Sequence, residues 1–104
     1  MYQNIENSDF KKLMKDPEAL IMDVRTPREW SEGYISGTTL FIDINNEPFE
    51  DSIQKLDKTK TYLVYCRSGA RSAKACRIME LNGFTGALYN LAHGIIEWDG
   101  EVKR

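Results

Sequence analysis

The sequence predicts an α/β domain built on a mainly parallel sheet with helices on both faces. Three observations carry that expectation. Apolar runs alternate with helix-like segments along the whole chain, the pattern of strand–helix–strand units. The apolar runs are largely continuous, as in strands covered on both sides. No repeat, low-complexity stretch or linker interrupts residues 1–104, so one domain is expected.

The first element is a short helix in "SDFKKLMK", with Ser8 as its cap and Phe10, Leu13 and Met14 on one face. "ALIMDV" reads as a buried strand that reaches Asp23. Thr26 and Glu29 then form a capping box, with Pro27 at the favoured first helical position, so a short helix runs from Thr26 toward Gly33. "TLFIDI" is the next strand. In "EPFEDSIQKL", Phe49, Ile53 and Leu56 recur at helical spacing. "TYLVY" is a third strand and ends directly at Cys66. "SAKACRIMELNG" is the clearest helix, with Ala75, Cys76 and Met79 on its apolar face and Asn82-Gly83 as a stop signal. "GALYNL" closes the set of strands, and "GIIEW" is a terminal helix or turn.

Composition narrows the function. At 104 residues with 41% hydrophobic and 29% charged residues, the chain can bury a single core without staples. A net charge of -2 supplies no global basic field, so nucleic acid and anionic membranes are not expected partners. No run approaches the ~20 apolar residues of a membrane span. The start "MYQNIENSDF" lacks a basic region and an apolar core of the secretory kind. With only two cysteines, Cys66 and Cys76, a reducing cytoplasmic setting is expected. Their spacing suits neither a C-x-x-C pair nor a zinc site, and His93 is the single histidine. No metal site is therefore expected.

The segment "YCRSGARSAK" (65–74) holds the chemistry. In a parallel α/β sheet, ligands gather beyond the carboxyl ends of strands. Asp23, with Arg25 just beyond it, and Cys66 both lie there. Between strand and helix, the N–H groups of "CRSGARS" can turn inward as an anion-binding nest, and the helix start adds positive potential. Gly69 permits unusual backbone angles, and Ser68 and Ala70 keep the centre open. Arg67 and Arg71 add charge. All of these favour the thiolate, whose ordinary pKa of about 8.5 falls to about 3.5–7.5 in such surroundings. Cys66 is thus read as an activated nucleophile, against the bland reading of a free cysteine as a small buried hydrophobe.

Here a resemblance emerges. "LIMDVRTPREWSEGYISGT", "YLVYCRSGARSAKACRIMELNGF" and "LYNLAHGIIEW" together resemble the rhodanese family of single-domain sulfurtransferases over nearly the whole chain. The resemblance implies that the Cys66 thiolate takes the outer sulfur of a small sulfur-containing anion such as thiosulfate, releases sulfite and holds a persulfide. A thiophilic acceptor then removes that sulfur: cyanide in assays, a small or protein thiol in cells. The reaction so implied needs no metal or organic cofactor. It further implies that the N–H groups of Arg67, Ser68, Gly69, Ala70, Arg71 and Ser72 hold the persulfide, while Arg67 and Arg71 attract the donor. Asp23 and Arg25 support the edge of the site, with direct substrate contact by Arg25 the lesser expectation. Three positions depart from the family pattern: Tyr34 stands for its usual histidine, Ser36 for its proline, and Ala92-His93 for the first of two late glycines. The last change falls where a pocket wall or a partner's docking face is expected.

Two other classes compete. Cysteine-dependent phosphatases and arsenate reductases commonly carry the arginine six places after the cysteine; here Arg71 is five after Cys66 and Ser72 occupies the sixth place. The shorter loop suits one sulfur better than a tetrahedral oxyanion. Non-catalytic interaction modules often lose the cysteine, which this chain keeps. Cys76 is expected in the core, His93 in a turn, and Trp30 and Trp98 as packing anchors.

Overall fold

The computed structural model describes residues 1–46 and 48–104. Glu47, the first residue of "EPFEDSIQKL", lies outside the described residues. The strands are β1 (Gln3–Ile5), β2 (Leu20–Asp23), β3 (Tyr34–Ile35), β4 (Leu40–Phe41), β5 (Tyr62–Tyr65), β6 (Leu88–Leu91) and β7 (Val102–Lys103). The α-helices are α1 (Asn7–Leu13), α2 (Pro27–Ser31), α3 (Phe49–Ile53) and α4 (Ala70–Leu81), and a 3-10 turn spans Ile95–Glu97. Five strands form one sheet in the order β1-β6-β5-β2-β4. Every pairing in it is parallel, as the continuous apolar runs predict.

Alternate residues of the central strands feed two cores. Met22, Val24, Tyr62, Val64, Cys66 and Leu88 pack with Phe49 and Ile53 of α3 and with Ala75, Cys76 and Met79 of α4. On the other face, Ile21, Leu63, Tyr65 and Leu91 pack with Phe10 of α1, and Leu13 and Met14 lie against them. Helices therefore cover both faces. Full burial of a side chain such as Leu63 or Met79 contributes about 1.5–3 kcal/mol each.

The expected α2 cap is present in full. The Thr26 hydroxyl accepts from the Glu29 N–H at 3.3 Å, and Glu29 Oε1 accepts from the Thr26 N–H at 3.1 Å. Ser8 is not a cap. Glu6 holds that position, without a side-chain cap bond, and Ser8 lies inside α1. Pairing of β1 with β6 keeps the chain extended through Ile5, so the helix begins as soon as the pairing ends. The neighbouring Asn7 amide donates instead to Glu97 O at 2.8 Å. "TLFIDI" pairs as a strand only over Leu40–Phe41. The Asp43 carboxylate accepts from the Asn45 N–H at 2.8 Å and turns the chain there.

Two features were not expected from the sequence. One is β1 as an edge strand. The other is a small antiparallel sheet in which Tyr34 and Ile35 face Lys103 and Val102. Tyr34 and Ser36, two of the departures from the family pattern, lie at this second sheet: Tyr34 packs edge-on against Phe41 at 5.0 Å, and the Ser36 N–H donates to Glu101 O at 3.0 Å.

Candidate active site

β5 and β2 end side by side, with Asp23 opposite Tyr65 in register. Chain direction carries both strand ends to one edge, where Cys66 leaves the sheet and α4 begins four residues later. Cys66 is 1% exposed. Its Sγ accepts from the Gly69 N–H at 3.1 Å and from the Ser72 hydroxyl at 3.3 Å. Burial pushes the thiol pKa up. The Ser72 hydroxyl and the N–H groups of Ser72, Gly69 and Ser68 outweigh that and bring it below its ordinary value. The arrangement holds a sulfur anion on neutral donors aimed from a turn and a helix start.

The loop is moulded by the segment after β6. Gly69 has φ +102, and a Cβ there would sit 2.2 Å from Ala92 O. A Cβ on Gly94 would sit 2.1 Å from Arg67 O. The N–H groups of Ile95 and Ile96 donate to the carbonyls of Cys66 and Arg67 at 2.9 and 3.1 Å. Ala92 therefore forms a backbone wall behind the loop. His93 is exposed in the same turn and pairs with the Glu6 carboxylate at 3.2 Å.

The two loop arginines differ. Arg67 is exposed, as are Ser68 and Ala70. Arg71 instead makes a bidentate pair with Glu29, Nη1 to Oε1 at 2.8 Å and Nη2 to Oε2 at 2.9 Å. That guanidinium, with the Thr26 N–H and hydroxyl, draws the Glu29 carboxyl down to about 2. So α2 is tied to the first turn of α4 beside the loop.

Asp23 and Arg25 are brought to the same edge but bind each other, not the sulfur. Arg25 Nη2 lies 2.8 Å from Asp23 Oδ2 and 2.7 Å from Gly33 O. The guanidinium also lies 5.8 Å from the centre of the Tyr65 ring. The Tyr65 hydroxyl in turn accepts from the Ile35 N–H at 3.1 Å. These contacts fasten the segment after β2 to the sheet.

Cys76 is fully buried in the α4 core, and burial pushes its thiol up to about 12. Trp98 packs against Phe10 and Trp30 against Phe41, each at 5.3 Å. A cavity of about 280 Å³ lies beside α4, lined by Ile44, Phe49, Glu50, Lys74 and Ile78 among others. None of residues 66–72 lines it. Among the described residues no group of three or more His, Cys, Asp or Glu side chains is placed to hold a metal ion. No helix among them is long and apolar enough to cross a membrane.

Two site residues escaped the sequence reading. Glu29 already had a role in the capping box, and its second partner is 42 residues away. Asn90 is a polar residue inside the apolar run "ALYNL", and that was its only signal.

A family model described as Rhodanese-like domain matches residues 6–101. The chain belongs to the rhodanese-like family. It is 34% identical over 99 residues to a sulfurtransferase of Allochromatium vinosum, covering 94% of this chain and 89% of that one. A rhodanese-like domain protein from Staphylococcus aureus superposes with a TM-score of 0.80 at 31% identity, covering 97% and 96% of the two chains. A rhodanese-related protein from Thermoplasma volcanium does so with a TM-score of 0.81 at 27% identity, covering 98% of each.

Proposed function

We propose that this rhodanese-like chain is a sulfurtransferase that carries a sulfane sulfur on Cys66. The donor is thiosulfate or a related small sulfur-containing anion, and the acceptor is cyanide in an assay or a thiol, including a protein thiol. The observation that carries the reading is the sulfur of Cys66 held between the Gly69 N–H and the Ser72 hydroxyl. A thiolate so held is a nucleophile at neutral pH. It attacks the outer sulfur of thiosulfate; the bond between the two donor sulfurs breaks, and its electron pair leaves with sulfite. Cys66 then carries a persulfide anion, with total charge conserved. Cyanide attacks the terminal sulfur, thiocyanate departs and the thiolate returns.

Within this scheme the N–H groups that favour the thiolate also face the persulfide. Arg67, exposed beside the loop, attracts the dianionic donor. Arg71 spends its fork on Glu29, so its part is to brace the loop. Asp23 and Arg25 support the edge. The two free thiols fit a reducing compartment.

Intact-mass measurement after thiosulfate treatment tests the proposal. The expected result is one added sulfur, removed by cyanide and absent in Cys66→Ser. Cys66-dependent hydrolysis of p-nitrophenyl phosphate with no sulfur added would overturn it in favour of a phosphatase. No reaction with either compound would leave an interaction module.

A further inference from the structure

We propose that Asn90 is a positioning residue of the Cys66 loop: its side-chain amide, set by Asn4, holds the Gly69 carbonyl and so aims the donors at the sulfur. The inference rests on the reading of Cys66 as the sulfur carrier. Asn90 lies on β6 between apolar neighbours along the strand and is 2% exposed. Its Nδ2 has two hydrogens and both are used, one toward Asn4 Oδ1 at 2.9 Å and one toward Gly69 O at 3.1 Å.

Gly69 is the residue this contact controls. Its carbonyl also accepts the Ala73 N–H at 3.1 Å, an early bond of α4. Its own N–H donates to Cys66 Sγ at 3.1 Å. The Gly69 N–H and carbonyl belong to two successive planar peptide units that meet at its Cα, and Gly69 has no side chain to restrict rotation between them. Held at the carbonyl by Asn90 and Ala73, it keeps its N–H on the sulfur despite a left-handed φ of +102.

The second observation is the other end of the amide. Asn90 Oδ1 is buried and has no hydrogen-bond partner among the described residues. An unpaired buried acceptor is unfavourable, and an aliphatic side chain would fill a strand position without one. Turning the amide over would bring Oδ1 against two oxygens, Asn4 Oδ1 and Gly69 O. The orphan oxygen is therefore the consequence of donating both hydrogens, one of them to the active loop.

The test is the rate of Cys66 alkylation by iodoacetamide against pH, read by mass, because that rate follows the thiolate fraction. Asn90→Leu is expected to move the titration upward by about 0.5–1 pH unit, slowing alkylation about threefold to tenfold near neutrality. Asn4→Ala, which frees the amide from an exposed position, is expected to move it the same way by less. Leu88→Ala removes core packing from the same strand face and should lower stability without moving the profile. The proposal is overturned if Asn90→Leu gives the unmodified profile, or if Leu88→Ala shifts the profile as far. If Asn90→Leu does not fold, an unmoved Asn4→Ala profile overturns it. Failure of the sulfurtransferase reading looks different: Cys66 of the unmodified protein would alkylate readily yet take no sulfur from thiosulfate.

Discussion

The two cysteines show how environment divides one residue type into two. Cys66 is almost as buried as Cys76, yet their thiols shift in opposite directions. Desolvation acts on both, and only Cys66 has donors to offset it. Iodoacetamide at neutral pH is therefore expected to label Cys66 in the folded protein and to label Cys76 only after denaturation. Cys76→Ser should keep most sulfur transfer, and Cys66→Ser should keep none. Peptide mass mapping with a thiosulfate–cyanide assay checks both. Equal labelling of the two thiols, or equal loss of transfer in two folded variants, would point to a two-thiol mechanism. The distinction was legible in the sequence because both causes are local. Cys66 sits between an apolar run and "RSGARS", whereas Cys76 lies on an apolar helical face. Asn90 was not legible in the same way, since its meaning depends on Asn4, 86 residues away.

Secondary structure sets this site through contacts between segments. The loop fits because Gly69 lies against Ala92 and Gly94 against Arg67, so β6 and the turn after it act as a mould. Gly69→Ala combines a positive φ with a Cβ 2.2 Å from a carbonyl oxygen. It should cost at least about 1–3 kcal/mol and abolish most sulfur transfer by displacing an N–H from the sulfur. Gly83→Ala is the control. It also has a positive φ, +86, but meets nothing within 4 Å. It should cost only about 1–2 kcal/mol and leave transfer intact. Denaturant melts and initial rates on the two variants separate strain alone from strain at the site; equal activity in both would mean that the loop tolerates displacement. The capping box, the central strands and α4 were legible because caps and apolar periodicity lie within one stretch of sequence. β1, β3 and β7 were not. They are two or three residues long, β1 and β7 largely exposed, and pairing with distant partners is what makes them strands. Ser8 misled for the same reason, because the pairing of β1 set where α1 began.

Proton binding links these local environments to the stability of the whole chain. Glu29 has a folded pKa of about 2 against an ordinary 4.5. A depressed carboxyl contributes stability that is present above its unfolded pKa and lost as pH falls from about 4.5 through about 2. The pair with Arg71 is partly exposed, at 22% and 29%, so solvent screening reduces its contribution to about 1–2 kcal/mol. Cys76 works at the other limit. Its folded pKa of about 12 lies above an ordinary 9.0. A thiol that stays neutral when folded stabilises fully below the unfolded pKa, and that contribution is lost as pH rises from about 9 toward about 12. In that window the loss approaches about 1.4 kcal/mol per pH unit. Urea unfolding of the unmodified protein, Glu29→Gln and Cys76→Val across this range provides the test. Glu29→Gln should be less stable at neutral pH by about 1–2 kcal/mol and should converge with the unmodified protein near pH 2. Cys76→Val should show a shallower alkaline fall, with little change at neutral pH if valine fills the site. The buried Tyr65 hydroxyl, whose pKa is also raised, would keep a residual alkaline slope in that variant. If Glu29→Gln matched the unmodified protein in stability from neutral pH down to pH 2, the strap between α2 and α4 would contribute nothing to the fold, and Arg71 would be free to meet the sulfur donor.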